Sequence, residues 1–293
     1  MNRTYLLRVV MICSFVLVLA SMPASAGQFT KLVVLGDSLS DTGNLFAATG
    51  ETVPPSPYYR GRFSNGPVWV EYLAAALDVP FEDYAYGGAE TDRRNLFDGL
   101  FGLDFRGLVD EVEVVTTGVT LDPDAVYVVW AGANDFRAGL SGRLELDIPA
   151  IITNIVTAVG QLYRGGARHV VVPNLPDLGL TPEGRASAMA ATLTHVSQLY
   201  NMGLDAALVT NTPAALRIDI FALMTQTVSD PDENGFTNVT SACLTTAGVC
   251  ATPDTYLFWD HVHPTTAGHE LLADKFAREI NQAFVKQHNQ KAR

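Results

Sequence analysis

Residues 31–44 read Lys31-Leu-Val-Val-Leu-Gly-Asp-Ser-Leu-Ser-Asp-Thr-Gly-Asn44, and this stretch decides the fold. Its apolar run is too short for a buried helix, is rich in Val and Leu, and ends at Gly36, as a buried parallel strand does. Open α/β sheets bind ligands at the carboxyl edge of their strands. The turn after this strand brings Ser38 to that edge, where the first amides of a following helix can stabilise an anion. Ser38 is therefore placed like a nucleophile, although a helix-capping role for Ser38 or Ser40 would explain the same residues.

Strand and helix patterns alternate along the rest of the chain. Apolar runs predict further strands at residues 81–86, 125–130, 168–173 and 216–221. Helical periodicity predicts helices at residues 67–77, 109–117, 147–163, 183–209 and 265–284, and a helix beginning within 39–46. Residues 51–67 are predicted to form a long loop at the carboxyl edge of the sheet, called the active edge below. Residues 229–259 are predicted to form an irregular segment. This order predicts a parallel sheet covered by helices on both faces.

The first 26 residues have the pattern of a secretion signal. Arg3 and Arg8 precede a short apolar stretch, and Ala24-Ser25-Ala26 is the small-x-small pattern that signal peptidase recognises. We expect cleavage near Ala26, release outside the cytoplasm, and one domain over residues 27–293. A retained membrane anchor is the alternative, but the apolar stretch is short for a span.

Charge limits the partners of the mature chain. The whole sequence carries 19 basic and 31 acidic residues, and removal of the signal with Arg3 and Arg8 leaves 17 against 31, a formal charge of −14. Such a surface repels nucleic acid and anionic membranes at long range. We therefore expect no nucleic-acid partner and at most transient contact with lipid surfaces. We also expect a monomer, although no sequence feature decides the oligomeric state.

Two cysteines remain after the signal, Cys243 and Cys250. In an oxidising compartment, two cysteines that close a short loop most simply form a disulfide. A two-ligand metal clip is the alternative. The disulfide would hold the segment just before Trp259.

Chemistry-bearing residues follow three of the predicted strands and recur near the C-terminus. Ser38, Gly88 and Asn134 each come directly after a strand, so the sheet places them at one edge. A serine needs a base to take its proton, and a histidine base needs a carboxylate to fix its tautomer. Asp260 and His263, three residues apart, meet that requirement. The backbone amides of Ser38 and Gly88 and the side-chain amide of Asn134 would donate to an oxyanion.

Four blocks in this order resemble the GDSL, or SGNH, family of esterases and lipases. They are Gly36-Asp-Ser-Leu39, Gly88, Gly132-Ala-Asn-Asp135 and Asp260-x-x-His263-Pro264. Residues 41–44 and 61–72 are similar to the secreted bacterial branch that includes phospholipases, lecithinases and haemolysin-like acyl esterases.

The resemblance implies a flavodoxin-like three-layer α/β/α sandwich with a parallel sheet of about five strands. It also implies Ser38 as nucleophile, His263 as base, Asp260 as its orienting residue, Gly88 and Asn134 as oxyanion donors, and no cofactor. The chain departs from the family at Asp83, where Asn is frequent, and we expect this change to affect turn packing rather than chemistry.

Two features have competing interpretations. Asp260, His261, His263 and His269 could form a metal site, but the serine chemistry already accounts for His263. Residues 95–105 carry apolar side chains among glycines. They suit either a mobile flap over an acyl chain or a buried loop of the core.

The sequence thus predicts a secreted serine carboxylester hydrolase, with a lipase, lysophospholipase or phospholipase A as the finer possibilities. The alternatives are an acyltransferase or carbohydrate deacetylase with the same residues, or a non-catalytic binding or toxin-like protein on the same scaffold.

Overall fold

The computed structural model describes residues 29–285, so the predicted signal segment lies outside the described residues. A five-stranded parallel sheet forms the centre of the molecule. Its strands are ordered β2-β1-β3-β4-β5, the doubly wound order of flavodoxin-like folds. They are β1 (Leu32–Gly36), β2 (Phe81–Asp83), β3 (Val126–Trp130), β4 (His169–Pro173) and β5 (Leu216–Ile218). The predicted parallel sheet is confirmed.

Helices cover both faces of this sheet. They are α1 (Asn44–Ala48), α2 (Trp69–Leu77), α3 (Leu108–Thr116), α4 (Ala133–Leu140), α5 (Ile148–Gly165), α6 (Pro182–Ala186), α7 (Ala190–Asn211), α8 (Ile220–Ser229) and α9 (Thr266–Ile280). A π-helical turn over Asn281–Val285 follows α9. Within the described residues, no helix has the length and apolarity that a membrane crossing requires.

The alternation of side chains along β1 explains the three layers. Val33 and Leu35 point into a core shared with α3, α5 and α7. Leu32 and Val34 point into a second core shared with α2 and α9. Because successive strand residues face opposite sides, a strand that is apolar at every position needs a helical layer on each face.

The segment between α8 and α9 contains four short strands, where the sequence predicts irregular structure. Strand β6 (Asn238–Ala242) pairs with β9 (Tyr256–Phe258), and β7 (Leu244–Thr245) forms a hairpin with β8 (Gly248–Val249). A Cys243–Cys250 disulfide closes the hairpin. The amides of Cys243 and Leu244 donate to the carbonyls of Phe258 and Trp259, which ties the hairpin to the chain entering Asp260.

Three predicted elements end differently in the structure. The strand predicted over 81–86 stops at Asp83, whose side chain accepts the Ala85 amide. The helix predicted over 183–209 is interrupted between α6 and α7, where the Ser187 hydroxyl accepts the Met189 amide. The strand predicted to reach residue 221 stops at Ile218, because the Asp219 carboxylate caps α8 by accepting the Ala222 amide. Sequence reasoning also missed α4 and α8 as helices.

Candidate active site

Ser38 lies in a tight turn directly after β1. A Cβ on Gly36 would come within 2.2 Å of the Trp130 carbonyl oxygen of β3, so only glycine fits there. The Asp37 side chain accepts the Leu39 amide, and its carbonyl accepts the amides of Ser40 and Asp41. These bonds hold the turn that presents the Ser38 hydroxyl at the carboxyl edge of the sheet.

The Ser38 hydroxyl is the first member of a hydrogen-bonded chain of three side chains. Its Oγ lies 2.8 Å from Nε2 of His263, and Nδ1 of His263 lies 2.7 Å from Oδ2 of Asp260. An ionised carboxylate only accepts hydrogen bonds, so Nδ1 carries the proton and Nε2 is left to accept from Ser38. The arrangement can transfer the serine proton to the imidazole.

Hydrogen bonds to both carboxylate oxygens hold Asp260 in place. Its Oδ1 accepts the amides of Val262 and His263, at 2.8 and 2.7 Å. Burial alone would raise the pKa of Asp260, but electrostatic attraction to the His263 ring and hydrogen bonds from His263 and Tyr58 together keep that pKa below its usual range. Asp260 is therefore ionised at neutral pH and fixes the orientation of the imidazole.

Sequence reasoning did not identify Tyr58 as part of the site. Its hydroxyl donates to Oδ2 of Asp260 at 2.6 Å, so Oδ2 accepts from both Tyr58 and His263. Burial, with the adjacent Asp260 charge, raises the pKa of Tyr58 and keeps the phenol protonated. The only sequence signal was its place in the loop predicted at the active edge.

The same loop supports the histidine. The Ser64 hydroxyl donates to the Pro264 carbonyl at 2.9 Å, and Oδ1 of Asn65 accepts the Thr266 amide at 2.8 Å. The Phe63 ring lies 5.0 Å from the His263 ring, centroid to centroid. Residues 51–67 thus stabilise the loop at residues 260–266, the histidine loop, which carries His263.

Replacing Tyr58 by Phe removes one hydrogen bond to a buried carboxylate. We expect a loss of about 1.5–3 kcal/mol of unfolding free energy at neutral pH, measured by urea denaturation. Folding lowers the pKa of Asp260, so this contribution is present above the ordinary aspartate pKa and is lost as pH falls toward the folded-state value. The difference from wild type should therefore shrink below about pH 4.

Tyr59→Phe is the matched control for this substitution, because it removes a neighbouring hydroxyl that does not contact Asp260. It should change stability by less than about 0.5 kcal/mol. A Tyr58→Phe variant as stable as Tyr59→Phe would show that the Tyr58 bond contributes nothing.

Gly88 and Asn134, the predicted oxyanion donors, are linked through Ala89. Asn134 is buried at the start of α4, and its side-chain amide donates to the Ala89 carbonyl at 3.0 Å. It lines one cavity with Ser38 and His263. Gly88 has φ +82°, and a Cβ there would collide with the side chains of Asn95 and Phe97. The glycine is thus required by its backbone and by its neighbours.

A buried carboxylate, Asp41, and a half-buried one, Asp83, brace the turns around Ser38. Asp41 accepts the amides of Gly43, Asn44, Leu45 and Gly87, which joins the serine turn to the glycine turn. Asp83 accepts the Thr42 amide and hydroxyl, both at 2.7 Å, and the Ala85 amide at 3.0 Å. Burial and the nearby Asp41 charge raise the pKa of Asp83 above its usual range. Asp83 thus contacts the turn next to the site.

Of the histidines in the alternative metal site, His263 belongs to the Ser38 array, and the other two have different surroundings. His261 is exposed, whereas His269 is fully buried in α9, and burial lowers its pKa to about 3. In the part of the chain that the structure describes, no three His, Cys, Asp or Glu side chains are grouped to hold a metal ion.

The loop at residues 95–105 has a packed base and an exposed tip. Phe105 is buried, and the Phe97 ring stacks on Phe63 at 6.3 Å between centroids. Phe101 and Leu103, at the tip, are 62% and 42% exposed. None of residues 95–105 lines the cavity at Ser38. The base therefore fits the core-loop interpretation, whereas the exposed apolar tip is compatible with the flap interpretation, which stays a prediction.

A flavodoxin-like sheet with a hydrogen-bonded Ser–His–Asp array at its carboxyl edge is the arrangement of a serine hydrolase. Residues 32–276 match the family model of the GDSL-like lipase/acylhydrolases, and the chain belongs to that family. The family resemblance is confirmed.

Individual relatives agree with this family membership. A thermolabile hemolysin of Vibrio parahaemolyticus is 28% identical over 294 residues, which cover 87% of this chain and 64% of that protein. A phosphatidylcholine-sterol acyltransferase of Aeromonas hydrophila is 27% identical over 331 residues, 93% of this chain and 97% of that protein. Among solved structures, LAE5, an alpha/beta hydrolase enzyme from the metagenome of Lake Arreo, superposes with a TM-score of 0.55 at 16% identity, covering 87% of this chain and 98% of that one.

Proposed function

We propose that this protein hydrolyses carboxylic esters through an acyl intermediate on Ser38. The observation that carries the proposal is the unbroken hydrogen-bond chain from Ser38 through His263 to Asp260. In a protein of the GDSL-like lipase/acylhydrolase family, such a chain serves acyl transfer from an ester.

The first half of the reaction forms the acyl-enzyme. Nε2 of His263 takes the hydroxyl proton as the Ser38 oxygen attacks the ester carbonyl. The backbone amides of Ser38 and Gly88 and the side-chain amide of Asn134 then stabilise the oxyanion. The imidazolium, whose charge Asp260 balances, then protonates the departing alkoxide. In the second half, His263 takes a proton from water as the water attacks the acyl carbonyl. His263 then returns the proton to Ser38 as the acid is released.

Acyl transfer to an alcohol is a second candidate, favoured by the similarity to the Aeromonas acyltransferase over nearly its whole length. Both reactions share the acyl-Ser38 intermediate and differ only in whether water or an alcohol attacks it. Product analysis with a sterol present separates them, because hydrolysis yields free acid and transfer yields a sterol ester.

The remaining expectations from the sequence belong to the same proposal. Residues 27–293 would form one domain, exported after cleavage near Ala26. Its acidic surface would keep it from nucleic acid and allow only transient contact with lipid surfaces, and it would act as a monomer without a cofactor.

A fluorophosphonate tests the nucleophile directly, because it reacts with an activated serine. We expect one phosphonyl group per chain, located on Ser38 by mass spectrometry of proteolytic peptides. Heat-denatured protein, in which the array is lost, is the control and should not be labelled. Absence of a label on the folded protein would favour a non-catalytic binding role.

A further inference from the structure

A largely apolar cavity opens beside Ser38. Its polar end is formed by Ser38, Asn134 and His263, together with Asp37 and Arg137. Side chains of α8, β9 and α9 form much of the remaining lining. Reactive groups at one end and a hydrocarbon wall beyond them match the polarity of an acyl group, which has a carbonyl at one end and a chain at the other.

One face of α8 forms one wall of the cavity. Ile220, Leu223, Met224 and Thr227 line it, at positions i, i+3, i+4 and i+7 of the helix. Oδ1 of Asn174 accepts the amides at the start of α8, at 2.7 and 2.9 Å, and so fixes the helix on β4. The Thr227 hydroxyl donates to the Leu223 carbonyl, which satisfies its hydrogen-bonding need within the helix.

A further part of the lining comes from β9 and α9, which precede and follow the loop that carries His263. Leu257, Leu271 and Leu272 form this part. A Cβ on Gly268 would lie 2.9 Å from Cβ of Pro264 and 3.0 Å from the Leu257 carbonyl oxygen, so α9 packs tightly against the residue that follows His263. The apolar wall is therefore continuous with the loop that carries the proposed base.

We infer that this cavity holds the acyl chain of the substrate, and we name it the α8–α9 chamber (Ile220, Leu223, Met224, Leu257, Leu271 and Leu272). The inference rests on the proposed function, because a chain reaches the chamber as part of an ester whose carbonyl lies at Ser38. The apolar loop at residues 95–105 does not line this cavity, so the chamber does not depend on the flap interpretation of that loop.

The chamber sets an expected order of substrates. Each methylene moved from water into an apolar wall favours binding by about fourfold. The specificity constant kcat/KM should therefore rise from acetyl esters toward medium-chain esters until the chamber is filled. An acetyl group leaves the wall formed by α8 unused.

Two tryptophan substitutions on α8 test the location. Met224→Trp fills the chamber, whereas Gln226→Trp adds the same side chain at an exposed position of the same helix. The measurement is the ratio of kcat/KM for octanoyl and acetyl esters of one phenol. That ratio should fall by at least about tenfold in Met224→Trp and stay at the wild-type value in Gln226→Trp. Because both rates come from one preparation, loss of folded protein cancels.

Binding without turnover separates this inference from the proposed function. In Ser38→Ala, calorimetric titration should show tighter binding of the octanoyl ester than of the acetyl ester, and Met224→Trp in the same background should abolish the difference. A wild type that prefers acetyl esters, or a ratio that changes with Leu103→Ser and not with Met224→Trp, would overturn the chamber. No Ser38-dependent hydrolysis of any ester, with chain-length-dependent binding retained, would contradict the proposed function alone.

Discussion

Replacing Ser38 by Ala is expected to lower kcat for ester hydrolysis by about a million-fold, leaving only the residual rate that oxyanion donors and binding supply. In the proposed mechanism no other group replaces the Ser38 oxygen as attacking atom, because His263 and Asp260 would serve to activate it. Hydrolysis of a soluble aryl ester by purified protein, followed over hours, measures the loss.

Ser40→Ala is the matched control for this change. Ser40 lies in the same turn, is fully buried, and its hydroxyl has no hydrogen-bond partner among the described residues. It should therefore keep wild-type kcat. Substantial activity in Ser38→Ala, or equal losses in both variants, would remove Ser38 from the role of nucleophile.

The fold could be predicted because its signals are local. Every residue of β1 is buried, and the sequence shows this as an uninterrupted apolar run ending at the glycine that β3 requires. The rule that parallel strands end at one edge predicts that Ser38 and Asn134 lie together, and they line one cavity with His263, whereas Gly88 is not among the residues that line it. Asp260 and His263 could be paired because only two residues separate them.

Other features depend on contacts that no local pattern records. Tyr58 reaches Asp260 across 202 residues of chain, and the path of a loop rich in proline and glycine decides where its hydroxyl lies. The α8–α9 chamber likewise forms between two helices whose sequences show only ordinary amphipathic faces. Helix α4 was missed because Gly132-Ala-Asn-Asp135 has the composition of a turn, yet the helix begins at its second residue.

Replacing Asp260 by Asn is expected to lower kcat by about ten-thousandfold while the protein still folds. The carboxylate uses both oxygens as acceptors: Oδ1 for the amides of Val262 and His263, and Oδ2 for Nδ1 of His263 and the Tyr58 hydroxyl. An asparagine has only one oxygen. If that oxygen still accepts the amides of Val262 and His263, the NH₂ group of the asparagine faces Nδ1 of His263.

That contact would favour the other tautomer of His263. An NH₂ group donates to Nδ1, so the ring proton must move to Nε2, where it points at Ser38 and prevents Nε2 from accepting the serine proton. The chamber does not include Asp260, so KM for the octanoyl ester should change little and the loss should fall on kcat. Fluorophosphonate labelling of Ser38 should slow in parallel, because it needs the same proton transfer.

Asp177→Asn is the control for the chemical change itself. Asp177 is also buried and accepts hydrogen bonds from the Gly179 amide and the Thr194 hydroxyl, but through one oxygen, Oδ1, which an asparagine can supply. It should keep wild-type kcat. If Asp260→Asn retained more than about a tenth of wild-type kcat, the tautomer of His263 would not depend on Asp260, and the carboxylate would be a loop anchor rather than the orienting group.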